Sequence, residues 1–173
     1  IELGSGSADK TRILLNKIVK FYIPLDISFD FIVKTSKKLK KIFPKLKIKP
    51  MKIDYSKSFR IPKFTTQRKV CFFLGSSIGN FHNNEEKKFL KTLKKSLGKN
   101  NYLFVGVDLI KNKKIIERAY NDKKGFSAKF NLNLITRMNK EFNTKLKIND
   151  FFYQSKFNNK LKCNESFVIS KKK

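Results

Sequence analysis

Tryptophan is absent from the 173 residues, histidine occurs once and cysteine twice. Cys71 and Cys163 lie far apart and outside any CxxC pair, which argues against a disulfide scaffold and reads as two reduced thiols of an intracellular protein. The sole histidine, His82, has no second imidazole and no nearby cysteine, so no metal role is assigned. No run of 18 apolar residues is present, and no apolar segment of signal-peptide length follows a basic start. A cytoplasmic protein without membrane attachment is expected. Acidic residues are scarce, 13 against 41 basic, for a net charge of +28. Arginine is scarcer still, at positions 12, 60, 68, 118 and 137 only. Nucleic-acid readers favour arginine for bidentate contacts. The lysines are scattered over every expected helix and loop, among abundant Asn, Ile and Phe, the residues of A/T-rich codons. They read as solvated surface, with a basic RNA-binding or RNA-methylating module as the alternative.

Length suits one domain, and 40% hydrophobic residues suffice for a core. The organising stretch is Val70–Phe81, VCFFLGSSIGNF: a short apolar strand that ends in a loop of small residues. A buried strand ending this way opens the ligand crevice of an open α/β sheet. Ile1–Leu3 reads as a strand stub before the turn Gly4-Ser5-Gly6-Ser7, and Asp9 caps a helix whose apolar face is Leu14, Leu15, Ile18 and Val19. Two strand residues before a glycine turn suggest a truncated chain or a missing partner segment. Strands are expected at Tyr22–Ile27, with Pro24 at an edge or bulge, and at Lys47–Asp54. A helix over Phe29–Phe43 separates them, and a polar connection, Ser56–Arg68, follows. Asn83 or Asn84 caps a helix with Glu85 and Glu86 in its first turn and Phe89, Leu90, Leu93 and Leu97 buried, stopped by Gly98. Tyr102–Leu109 reads as a central parallel strand. Helices follow at Lys111–Tyr120 and at Phe130–Phe142, where Phe130, Leu134 and Met138 recur at helical spacing. Phe151–Lys156 and Glu165–Ser170 read as a hairpin. The alternation predicts an α/β fold: a mainly parallel, doubly wound sheet with a C-terminal antiparallel hairpin.

Three strand ends carry acids together: ELGSG, Asp26, and Asp54-Tyr55. In a doubly wound sheet they align along the crevice. The glycine turn admits a ligand to the backbone. Asp26 can accept both ribose hydroxyls, Asp54 an exocyclic amine, and the Tyr55 ring can lie on a purine. The ligand so described is an adenosine. The turn is not GxGxxG, and Asp9 beside it repels a pyrophosphate, whereas an acidic surround such as Glu2 favours a sulfonium. Beyond the fourth strand, Asn80 offers a neutral amide to a small amino-acid substrate.

The stretch from FFLGSSIGNF through GVDLIKNKKIIERAYNDKKGFSAKFNLNLITRMNKEF resembles the histidine-specific, S-adenosylmethionine-dependent methyltransferases, which make trimethylhistidine in ergothioneine synthesis. ELGSGSADKTRILL looks like that family's first cofactor motif and YIPLDIS like its second. The resemblance covers essentially the whole chain. It implies a Rossmann-like class I methyltransferase that binds S-adenosylmethionine and transfers a methyl group to the α-amino group of an amino acid, L-histidine first, another amino acid or amine second. By resemblance, Gly4 and Lys10 contact the cofactor, Asp26 holds its ribose, and Asp54 with Tyr55 its adenine. Asn80 and Tyr120 hold the amino and carboxylate groups of the substrate. On the residues alone, Lys10 reads as a surface lysine, Tyr120 as a core aromatic, and His82 as a loop residue.

The implied mechanism is direct displacement at the sulfonium methyl, governed by alignment, with no covalent intermediate and no catalytic side chain assigned. Two parts of the family's pattern have no counterpart here: a preceding segment with a substrate-contacting tyrosine, and a later Glu-x-Ser motif for the imidazole. Residues 1–173 are therefore expected to be a single but incomplete methyltransferase domain, monomeric, needing a missing segment or partner chain for full activity.

Overall fold

The computed structural model describes residues 1–15, 20–55, 57–62, 68–82 and 84–172. They divide into two compact units, Ile1–Asp108 and Leu109–Lys173. The first contains β1 (Glu2–Leu3), α1 (Asp9–Leu15), β2 (Phe21–Tyr22), β3 (Pro24–Asp26) and α2 (Phe29–Ile42). It continues through β4 (Lys47–Ile48), β5 (Met51–Lys52), β6 (Val70–Phe73), a 3-10 turn (Ser77–Asn80), α3 (Glu85–Leu97) and β7 (Tyr102–Val105). Five strands form a sheet in the order β5-β3-β1-β6-β7, every neighbouring pair parallel. The expected α/β fold with a mainly parallel sheet is what the chain adopts.

The two-residue β1 lies at the centre of that sheet. Glu2 N donates to Ile23 O at 3.0 Å and Gly4 N to Leu25 O at 2.7 Å, while Phe72 N donates to Ile1 O at 2.9 Å. Its brevity is offset by pairing on both sides.

The strands expected at Tyr22–Ile27 and Lys47–Asp54 are each broken once, and at matching positions. β2 pairs with β4 as Phe21 to Lys47, and β3 with β5 as Leu25 to Met51. Carried through the gap, this register sets Pro24 opposite Pro50. Neither proline has an N–H to donate, so the ladder lapses there and resumes. Pro24 thus opens an interior strand, not an edge one.

Alternation along the strands separates two layers. Leu3, Leu25, Cys71 and Phe73 point toward Phe89, Leu93 and Leu97 of α3. Burial pushes the Cys71 thiol up to about 11, so it behaves as a small hydrophobe. On the α1 side, Ala8 and Leu15 pack with Tyr22, Leu39 and Leu46. The face expected on α1 is only partly realised: Leu15 is buried, Leu14 is exposed, and Ile18 and Val19 lie outside the described residues. The α3 stripe is buried as expected at Phe89, Leu93 and Leu97. Its start is not capped by a side chain of Asn84, which sits in the left-handed region (φ 66°), and Asn83 lies outside the described residues. Glu85 reaches back instead: its Oε2 accepts from His82 N at 2.9 Å while Glu85 N donates to His82 O at 2.9 Å. The expected central strand at Tyr102–Leu109 is shorter, and it ends the five-strand order, leaving Tyr102 and Phe104 exposed.

The second unit contains α4 (Lys113–Tyr120), α5 (Phe126–Phe142), a 3-10 turn (Ile148–Asp150) and the antiparallel hairpin β8 (Phe151–Asn158) and β9 (Cys163–Ser170). Asn112 caps α4, accepting from Lys114 N at 2.9 Å. α5 begins four residues before the expected Phe130 because Asp122 accepts from Phe126 N at 2.8 Å and Ser127 N at 2.7 Å. The expected stripe is not its buried face: Phe130 is 82% exposed, and Ile135 is the buried residue. Among the described residues, no helix is long and apolar enough to cross a membrane.

Leu93→Ala is expected to lower stability in urea by about 2–5 kcal/mol, because it leaves a cavity under the sheet. Ile13→Ala, at a 75% exposed position, is expected to stay within about 0.5 kcal/mol. The hydrogen bonds from Ser127 and Phe126 hold the Asp122 carboxyl down at about 2. Its contribution to the α5 cap is therefore present above the unfolded value near 3.8 and is lost as pH falls through about 2. Carboxyl chemical shifts across pH 1–5 should show that low midpoint.

Candidate functional site

The site is built at the carboxyl ends of β1, β3, β5 and β6, where an open parallel sheet presents its crevice. The turn after β1 is held in two left-handed glycines, Gly4 (φ +64°) and Gly6 (φ +48°). Gly6 N donates to Asp26 Oδ2 at 3.1 Å, and Ser28 N donates to Asp26 Oδ1 at 3.0 Å. Among the described residues each carboxylate oxygen accepts one backbone N–H, and each has a second lone pair with which to accept another. The end of β3 and the glycine turn are thus one assembly.

Asp54 follows directly: Ile53 N donates to Asp26 O at 3.1 Å, so the second residue beyond β5 comes just after the Asp26 strand end. Lys57 Nζ lies 3.7 Å from Asp54 Oδ2, an exposed pair of small energetic weight. Tyr55 ties the acids to the turn. A Cβ placed on Gly4 would come within 3.2 Å of the Tyr55 hydroxyl. The phenol pKa is raised, first by burial and then by the negative charges of Asp26 and Asp54. Two carboxylates and one phenol therefore meet beside Gly4.

The Tyr55 ring is set edge-on to Phe73, Phe81 and Phe89, at centroid distances of 5.8, 6.4 and 5.9 Å. It lines a cavity of about 300 Å³ with Phe81, Phe89, Ser58, Lys88 and Thr92. That volume is at the low end for small-molecule sites. The sequence reading missed Phe81 as a neighbour of Tyr55. Its position directly after the Gly79-Asn80 loop was the available signal.

Lys10, expected on residue pattern to be surface and by resemblance to contact a cofactor, projects to the loop after β6. Its Nζ lies 3.9 Å from where a Cβ on Gly75 would stand. It brings a cation across the mouth of the glycine turn. Asn80 ends the 3-10 turn after β6 and is exposed, on the loop that leaves the same sheet end. Tyr120 belongs to the second unit, as the last residue of α4. At 44% exposed it is not the core aromatic that the pattern suggested, and its backbone carbonyl accepts from the Tyr153 hydroxyl at 3.1 Å. Glu2 does not face the crevice as an acidic surround. It is buried, with its two oxygens taken by the Thr11 and Tyr22 hydroxyls. Among the described residues, no three His, Cys, Asp or Glu side chains gather as a metal site would require.

A left-handed glycine turn, a half-exposed carboxylate with free lone pairs, a second strand-end acid and an aromatic hydroxyl fit a neutral, hydroxyl-rich nucleoside. Lys10 adds a cation near Gly75, of the sign that suits a carboxylate. The donor set therefore fits S-adenosylmethionine, whose ribose has hydroxyls to donate and whose amino-acid tail carries a carboxylate.

Comparison with known proteins points the same way. The model of a family described as histidine-specific methyltransferase, SAM-dependent, matches residues 1–173. Histidine N-alpha-methyltransferase of Mycolicibacterium smegmatis is 30% identical over 162 residues, which is 90% of this chain and 50% of that protein. Its namesake in Mycobacterium tuberculosis is 29% identical over 157 residues, 87% of this chain and 48% of that protein. Ergothioneine biosynthesis protein 1 of Neurospora crassa is 31% identical over 148 residues, 80% of this chain and 17% of that protein. The chain thus spans about half the length of the bacterial relatives it matches.

Gly4→Ala is expected to cost roughly 1–2 kcal/mol from the left-handed backbone alone, with the Tyr55 contact added. Combining it with Tyr55→Phe should recover only the contact part. Urea unfolding of the two single variants and the double variant measures both parts.

Proposed function

The chain belongs to the histidine-specific, SAM-dependent methyltransferases, and on that premise we propose that it binds S-adenosylmethionine at the Gly4–Asp26–Asp54 crevice and methylates the α-amino nitrogen of L-histidine. The observation that carries this reading is the convergence of Asp26, Asp54 and Tyr55 beside Gly4, with Gly6 N hydrogen-bonded to Asp26. The family match runs through both compact units, which supports treating residues 1–173 as one methyltransferase domain.

S-adenosylmethionine supplies an electrophilic methyl group on a positively charged sulfur. The work of the chain is then to bind, orient and keep the acceptor amine neutral. Asp26 accepts the ribose hydroxyls on the lone pairs that its backbone donors leave free. Asp54 and Tyr55 receive the adenine edge and face. Lys10 meets the carboxylate of the cofactor's amino-acid tail near Gly75. Asn80 holds the substrate amine through a neutral amide, which gives the ammonium form no ionic partner and so does not raise its pKa. Tyr120, in the second unit, keeps only the role that the family resemblance gives it, toward the substrate carboxylate. Because the methyl donor is already activated, alignment supplies the acceleration, on the order of 7–11 kcal/mol for well-oriented pairs.

Isothermal titration with S-adenosylhomocysteine tests the proposal. Wild-type protein should bind it. Asp26→Asn, which removes one charged acceptor, should weaken binding by roughly 1.5–3 kcal/mol, about ten- to a hundredfold in Kd. Asn80→Ala should leave that affinity unchanged and abolish the further heat of histidine addition. Wild-type protein with no affinity for S-adenosylhomocysteine would overturn the reading.

A further inference from the structure

Behind the glycine turn lies a polar cluster that the site itself does not use. Glu2, Thr11 and Tyr22 are 5%, 3% and 2% exposed. Thr11 Oγ1 donates to Glu2 Oε1 at 2.5 Å, and the Tyr22 hydroxyl donates to Glu2 Oε2. Burial and the Glu2 charge both raise the Tyr22 pKa, which keeps that hydroxyl a donor. Buried carboxylates need such donors, and here both are neutral hydroxyls from other elements.

The cluster spans the turn. Glu2 is in β1, before it; Thr11 is in α1, after it; Tyr22 is in β2, and its hydrophobic neighbours include Ala8, the last turn residue. Ala8 is itself left-handed (φ 57°), and the turn closes through Ala8 N to Ser5 O at 2.8 Å and Arg12 N to Ala8 O at 2.8 Å. Once Thr11 faces inward onto Glu2, the rotation of α1 about its axis is set. Lys10, the preceding residue, then faces out toward Gly75. A helix turns by about 100° per residue, so a modest rotation of α1 would swing Lys10 off that line.

We propose that Thr11 and Tyr22 are positioning residues which, through the buried Glu2 carboxylate, fix the rotation of α1 and aim Lys10 across the glycine turn at Gly75. The consequence for ligand affinity rests on the cofactor reading above; the aiming itself does not.

The test is a double-variant cycle in the whole chain, read by titration with S-adenosylhomocysteine. Thr11→Val keeps the shape and removes the hydroxyl; it should raise Kd on the order of tenfold, and Thr11→Ser should restore it. In a Lys10→Ala background, Thr11→Val should change Kd by less than about twofold, because coupled residues are non-additive. An equal loss in both backgrounds means a merely structural role and overturns the proposal. Tyr22→Phe, which loses one oxygen atom, runs the same cycle should Thr11→Val fail to fold. Amide exchange over residues 4–12 without ligand gives an independent answer. It should quicken in Thr11→Val and in Tyr22→Phe but not in Thr11→Ser, and unchanged protection in all three overturns the strut. Wild-type protein that binds no S-adenosylhomocysteine sinks the cofactor reading, and with it the affinity consequence; exchange then decides the aiming alone.

Discussion

The hydrogen bond from Gly6 N to the Asp26 carboxylate is the constraint on which the site depends. It joins the turn after β1 to the end of the neighbouring strand. Parallel pairing of Glu2 with Pro24 and Leu3 with Leu25 brings the two ends level. The bond then fixes the left-handed turn against a half-exposed carboxylate. It adds a side-chain tether to a turn already held by Gly4 N to Leu25 O and Ala8 N to Ser5 O, and to a carboxylate that also accepts from Ser28 N.

Around this joint the charges are distributed by depth. Asp26 and Asp54 sit at the rim, and their charges add to burial in raising the Tyr55 phenol. Glu2 sits underneath, buried and held by two hydroxyls. Lys10 stands at the opposite lip, near Gly75. With a net charge of +28, most lysines are solvated surface, and Lys10 is distinguished by its place over the crevice rather than by its type. The aromatic set of Phe73, Phe81 and Phe89 holds the Tyr55 ring from the side, so the phenol approaches Gly4 from a rigid base.

Much of this was legible in the residues. Strand–helix alternation led to a parallel sheet, and Asp26 and Asp54 were assigned to one crevice, because parallel strands put all their carboxyl ends on one side; Glu2, grouped with them as an acidic surround, is instead buried beneath the turn. Four details were not legible. Pro24 and Pro50 break their strands opposite each other, which depends on a register between residues far apart in sequence. The buried face of α5 falls on Ile135 instead of Phe130, because that helix is apolar on more than one side and periodicity does not choose between them. Asn84 adopts a left-handed conformation and leaves the start of α3 to Glu85. Tyr120, placed by pattern in a core, is 44% exposed at the end of its helix.

The residue order by itself determined the fold class, the family and the positions of the strand-end acids. These follow from local periodicity and from short motifs such as ELGSG and FFLGSSIGN. Tertiary structure alone decided the surroundings of Glu2, Thr11 and Tyr22 and the direction in which Lys10 projects. A buried glutamate and a solvated one are the same letter in a sequence, as are a surface lysine and one over a crevice. What separates them is the rotation of α1 against β1 and β2, and the contacts that bear on it join residues 9 and 20 apart.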